Sequence, residues 1–178
     1  HVSGKEQVRE MDEMCLEMCK ITRWERGYRL ILDRVDFSVR KKEKVLIRGE
    51  IQEDIRQMFQ MASGVTALPL LTQGYNRKQA WGRIKPMVKT STLWEKRMIY
   101  ADNLTAYEKG VLLSIAALST EPEIVLAGDG ISEMTEEERK KFGTLISGWL
   151  ADLGMAFVAF GNLWEGILYF DRIYEIQN

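Results

Sequence analysis

The sequence predicts an α/β fold, a mostly parallel sheet flanked by helices with an added antiparallel β portion. Three observations carry this. In the second half, apolar runs at 123–127, 155–160 and 172–176 alternate with helical patterns, as strands of a parallel sheet covered on both faces do. The first half reads strand, strand, turn, strand with no helix between. The chain has 178 residues, 46% of them hydrophobic, enough for one core or a core with a short appendage.

Taken in order, residues 5–20 read as a helix, because Val8, Met11, Cys15 and Met18 recur at three- and four-residue steps among charges. Its Met11, Met14 and Met18 face is adaptable packing surface. Residues 1–22 are therefore expected to form an N-terminal helix and linker docked on a core of residues 23–178. Residues 29–33 and 35–39 are β-rich runs, and Arg40-Lys41-Lys42-Glu43 turns the chain into a third strand at 44–47. Gly49 ends that strand. Residues 52–63 place Ile55, Met58, Phe59 and Ala62 at helical spacing, with Gly64 where a helix C-cap belongs.

Residues 65–96 show no long period, since Gly74, Gly82 and Pro86 interrupt them. A strand at 97–100 follows, then an apolar helix at 105–118 and a buried strand at 123–127. A helix at 136–153, a buried strand at 155–160, a short helix at 164–169 and a last strand at 172–176 complete the chain. There is no internal repeat, low-complexity stretch or linker within the core.

Composition excludes several functions. With 25 Lys+Arg against 26 Asp+Glu the net charge is −1, which argues against nucleic acid as the main partner. No run approaches about 18 apolar residues, so no membrane span is expected. Lys5, Glu6, Arg9, Glu10, Asp12 and Glu13 break any signal-peptide layout, and the missing initial Met points to a piece of a longer protein. The one histidine, His1, opens the chain, so an internal histidine base and a His/Cys metal cluster are both ruled out. Cys15-x-x-x-Cys19 would share one helix face, but two sulfurs do not complete a metal site. They read as structural thiols of a reducing, cytoplasmic compartment.

Several stretches carry a family likeness. Leu32-Asp33-Arg34-Val35-Asp36-Phe37-Ser38-Val39 precedes the charged turn Arg40-Lys41-Lys42-Glu43. Leu104 to Pro122 runs without a gap into Glu123-Ile124-Val125-Leu126, and Asp171-Arg172-Ile173 precedes the last strand. In this order the chain resembles, over residues 28–178, the nucleotide-binding domain of ABC transporters, a P-loop-NTPase-like fold. With Leu163 to Phe170, its ending is most similar to the ATP-binding proteins of simple-sugar importers.

The resemblance places the functional positions, and most are replaced. A P-loop needs G-x-x-x-x-G-K-S/T, so that backbone amides and a Lys wrap the phosphates and a hydroxyl holds Mg²⁺. Here Gly49 keeps the first Gly, while Asp54, Ile55 and Arg56 stand for the second Gly, the Lys and the Ser/Thr. Glu50, Glu53 and Asp54 put carboxylates where a triphosphate would lie. One like-charge contact at about 4 Å costs ~4 kcal/mol at an effective dielectric of ~20. Arg48 and Arg56 offset part of that without restoring the cradle.

In Walker B, Gly128 falls at the metal-holding Asp and Asp129 at the catalytic Glu, one methylene shorter. The switch-loop histidine falls at Gly161, and the aspartate after Walker B at Thr135. For the LSGGQ signature the chain has Leu104, Thr105, Ala106, Tyr107 and Glu108, where Tyr107 in place of Gly blocks close backbone approach. Thr105-x-x-Glu108 and Thr135-x-x-Glu138 instead read as capping boxes. Only 39 residues separate Gly64 from Leu104, so the helical subdomain that meets the transporter is expected to be truncated.

The expectation is a degenerate, non-hydrolysing ABC domain with no metal site and no bound cofactor, resembling a component of a sugar-importer system. Its partner would be a competent ABC domain or transporter component, in the same longer chain or not. Its place would be cytoplasmic, peripheral at the inner face of the membrane. The alternative is a soluble regulatory or scaffold protein on the same fold, unrelated to transport. An active ATPase would need ATP and Mg²⁺ held by substitutes, with Arg56 or Lys109 on phosphate and Asp129 on water. Trp81, Trp94, Trp149 and Trp164 are candidates for either core or interface.

Overall fold

A computed structural model describes residues 14–24, 30–49, 74–128 and 130–176. Two long strands, β1 (Met14–Trp24) and β2 (Leu30–Arg40), pair antiparallel. A four-stranded sheet holds β3 (Lys44–Gly49), β4 (Ile124–Ala127), β5 (Ala156–Phe160) and β6 (Arg172–Ile176) in the order β4-β5-β3-β6, every pair parallel. Among the described residues three α-helices accompany it: α1 (Arg77–Thr90), α2 (Ala106–Leu118) and α3 (Glu136–Leu153).

Side-chain alternation along each strand divides the core in two. Val45 and Ile47 of β3, Ile124 and Leu126 of β4, and Ala156, Val158 and Phe160 of β5 face one way. There they meet Leu16 and Met18 of β1 and Phe37 and Val39 of β2. Leu46, Val125, Ala127, Phe157 and Ala159 face the other way, onto the helices. The antiparallel pair thus covers one face of the parallel sheet and the helices the opposite face. That dual burial explains why β3 and β5 have continuous apolar runs.

The helices present apolar stripes at three- and four-residue steps. Val111, Ile115 and Leu118 are buried on α2, and Phe142, Ile146, Trp149 and Leu150 on α3. Each such side chain contributes roughly 1.5–3 kcal/mol on burial. Thr105 and Thr135 accept from the backbone N–H of Glu108 and Glu138, whose carboxylates accept back from the two threonine N–H groups, so both predicted capping boxes form. Gly154 closes α3 in the left-handed conformation.

Four expectations are corrected. Residues 14–20 form strand β1, not the end of a helix over 5–20. Met14, Leu16 and Met18 fit a period of two as well as the Met and Cys spacing fits a helix, and burying Leu16 and Met18 against the sheet decides between them. Residues 5–13, together with the helix expected at 52–63 and its cap Gly64, lie outside the described residues. Residues 97–100 form turns, not a strand. All four are exposed, so an extended run there would bury no side chain. Residues 164–169 hold only the end of a 3₁₀ turn, Asn162–Trp164, because Gly161 and Gly166 leave too few residues between them for an α-helix.

The fourth correction is an element gained. Within the unread stretch 65–96 lies α1, started by a capping box between Asn76 and Gln79. The box marks where the helix starts, and packing of Ile84, Met87 and Val88 on the core offsets Gly82 and Pro86 inside it. The runs at 29–33 and 35–39 are one continuous strand, β2, whose pairing with β1 absorbs several register shifts. Between 64 and 104 the described residues, 74–103, hold α1 and two three-residue 3₁₀ turns.

Candidate functional site

In a parallel α/β sheet, ligands bind at the carboxyl ends of the strands. Here Gly49 ends β3, Gly128 follows β4, Gly161 follows β5, and Glu175 and Ile176 close β6. Gly49 has φ +128°, and a Cβ there would stand 2.4 Å from the carbonyl oxygen of Ile176, so only glycine fits. Asp54, Ile55, Arg56 and Asp129 lie outside the described residues.

Among the described residues, several groups at this end bond to one another. Arg48 places Nη1 2.8 Å from Glu165 and Nη2 2.9 Å from Glu175, tying β3 to β6 and to the loop after β5. Hydrogen bonds to Glu175 and then Glu165 raise its pKa further, so its charge is committed. Its Nε is buried without a hydrogen-bond partner among the described residues. Trp164, buried, donates from its indole Nε1 to the Gly128 carbonyl at 2.8 Å. Gly161 is buried at φ +120° and donates its N–H to the Ile47 carbonyl at 2.9 Å. A side chain at that position would be strained, so the backbone itself disfavours a histidine.

The signature-like segment is equally occupied. Leu104 is buried, Thr105 caps α2, and Tyr107 packs edge-on to Phe142 with ring centroids 6.5 Å apart. Burial, and then the charge of Glu138, raises the Tyr107 pKa. Glu108 is buried and pairs with Lys96 while its carboxylate accepts from the Thr105 N–H. The Lys96 hydrogen bond first, then the Thr105 N–H, holds its carboxyl below the usual range. Thr135 is the N-cap of α3. Lys109 is exposed at the rim of a cavity of about 450 Å³, whose walls include Gly110, Leu113, Met134, Phe142 and Trp164.

No protein-family profile matches the chain. Solved structures of low identity do. The cbiO1 protein of Clostridium perfringens, part of the ABC transporter complex cbiONQ, superposes with a TM-score of 0.70 at 9% identity, over 84% of this chain and 79% of that one. A nucleotide-free ATP-binding cassette from an ABC transporter gives 0.69 at 13% identity, over 92% and 87%. The fold is that of an ABC ATPase domain. In sequence, the methionine import ATP-binding protein MetN 2 of Rhodococcus jostii (strain RHA1) is 26% identical over 136 residues, 73% of this chain. The chain spans 40% of the length of that relative.

On this cassette fold the opposite end of the sheet contains what sequence reading could not place. Arg172 donates through Nε and Nη2 to both carboxylate oxygens of buried Glu43, at 2.5 and 2.9 Å. It also donates to the Ser38 carbonyl at 2.5 Å, the Ser38 hydroxyl at 3.2 Å and the Tyr174 hydroxyl at 3.1 Å. Asp171 accepts from the Lys44 N–H at 2.8 Å and returns its own N–H to the Lys44 carbonyl. Asp171-Arg172-Ile173 therefore sets the register of β6 on β3. Cys15 is half-buried, and desolvation, then the charge of Glu123, raises its thiol pKa. Trp149 and Trp164 are core, whereas Trp81 is exposed on α1.

Proposed function

We propose that the chain is a degenerate, non-hydrolysing ABC-type domain that acts as a structural or regulatory partner in a transport system. One observation carries this reading. At the strand ends where nucleotide chemistry would sit, Gly128 offers a carbonyl already held by Trp164, and Gly161 has a backbone that disfavours a side chain. The replacements at Asp54, Ile55 and Arg56 point the same way. Neither ATP nor Mg²⁺ is then a resident cofactor, and Asp129 alone does not restore the water-orienting pair.

The partner in this reading is a competent ABC domain or transporter component, at the inner face of the membrane. The finer form is a sugar importer, supported by the 163–173 ending. The methionine-importer relative supports small-solute import more broadly. A second reading, a soluble regulatory protein unrelated to transport, is favoured by the single helix between the described residues 74 and 103.

Thermal unfolding with and without ATP·Mg²⁺ tests the first claim. A ligand at about a hundredfold over its Kd adds ~2.7 kcal/mol, which would raise Tm by several degrees. The expected shift at millimolar ATP is none, and a magnesium-dependent rise would overturn the reading. Pull-down of a transporter membrane subunit supports the transport role. Its absence from extracts that contain that subunit favours the second reading.

A further inference from the structure

The residues from 74 to 100 are charged unlike the rest of the chain. They hold seven Lys or Arg and one acid, a net +6, while the whole chain carries −1 and the remainder therefore −7. No Asp or Glu occurs from Gly74 to Trp94. Arg83 pairs with Glu121 and Lys96 with Glu108, but Arg77, Lys78, Lys85, Lys89 and Arg97 form no ion pair among the described residues.

Helix α1 lines these cations up. Val88 is buried toward the core, with Ile84 and Met87 beside it. On the outward side Lys78, Lys85 and Lys89 fall seven and four residues apart, on one stripe. Trp81 borders that stripe and stacks on Trp94, centroids 6.4 Å apart. Lys89 and Arg97 lie over the Trp94 ring at 5.4 and 4.7 Å. Arg97 leads directly into Met98, Ile99 and Tyr100, exposed by 88%, 45% and 83%.

We propose that this face docks on the surface of an anionic phospholipid bilayer. Lysines supply attraction to the headgroups, while Met98, Ile99, Tyr100 and Trp81 supply apolar and amphipathic groups that settle at the interface. Nucleic acid shares the charge requirement but fits the aromatics less well. Trp94 already has Trp81 stacked on it and two cations over its ring, so it offers no free platform for bases. The inference is independent of the nucleotide site and stands or falls separately from the proposed function.

Co-sedimentation of the full chain with phosphatidylcholine vesicles, with and without phosphatidylserine, tests it. The chain should bind only the anionic vesicles and release as salt rises. Each lysine neutralised near such a surface weakens partitioning about fivefold, so combined Lys78→Gln, Lys85→Gln and Lys89→Gln should weaken it about a hundredfold. Met98→Ser with Tyr100→Ser, both at solvent-exposed positions, should weaken binding to the anionic vesicles at low salt as well. Equal binding to neutral vesicles, or no binding to anionic ones at low salt, overturns the proposal. So does lysine-dependent binding to single-stranded RNA or duplex DNA without vesicle binding, which would assign the face to nucleic acid.

Discussion

The two ends of the parallel sheet are built differently. At the amino end, Arg172, Glu43, Ser38, Asp171 and Lys44 form a closed network that joins β2, β3 and β6. At the carboxyl end, glycines stand at the tips of β3, β4 and β5, Arg48 pairs with Glu165 and Glu175, and Trp164 donates to the Gly128 carbonyl. The first end is what the fold needs in order to exist. The second is where an ABC-type ATPase would act. On the proposed reading, the domain keeps the register and core of its architecture while the chemistry at its loops differs, because the two rest on different residues.

Substitutions can break the contrast at either end. The largest effect is expected from Arg172→Met, which leaves the buried Glu43 carboxylate without its cation and with the Arg40 N–H as its remaining donor. Breaking such a pair costs about 3 kcal/mol or more, measurable as a lower urea midpoint. Next is Gly143→Ala on α3, whose new Cβ would stand 2.3 Å from the Ile167 carbonyl. Overpacking of that kind costs about 1–3 kcal/mol in the same unfolding assay.

At the carboxyl end, Trp164→Phe keeps the packed ring but removes the donor to Gly128. It should cost about 1 kcal/mol and confer no nucleotide binding, read by unfolding and by calorimetry in parallel.

The smallest effect concerns pH. The Glu108 carboxyl titrates below its ordinary range in the folded state, held there by Lys96 and the Thr105 N–H. Its contribution is therefore complete above the unfolded carboxylate pKa of about 4.3 and fades as pH falls toward the lower folded value. Glu108→Gln should make the acid limb of a stability-against-pH curve shallower and leave its slope near pH 7 unchanged.

The sequence showed elements whose signals are local. Helix α3 was readable to its ends because Thr135, Glu138 and Gly154 mark them within a few residues. Strands β5 and β6 stood out as short runs between turns. Helix α1 was hidden because Gly82 and Pro86 argue against a helix more loudly than Asn76 and Gln79 argue for one. Strand β1 was misread because Met and Cys spacing satisfied two periods, and only its partner strand chose between them. The site positions were countable along the chain, but their present occupants were not. Arg172 and Glu43 are 129 residues apart, and Trp164 and Gly128 are 36 apart. Contacts across such distances leave no local pattern.

The most direct measurement is isothermal titration of the full chain with ATP, in the presence and absence of Mg²⁺. The proposed reading predicts no saturable heat up to millimolar nucleotide and no dependence on the metal. A micromolar Kd that requires Mg²⁺ would contradict the account.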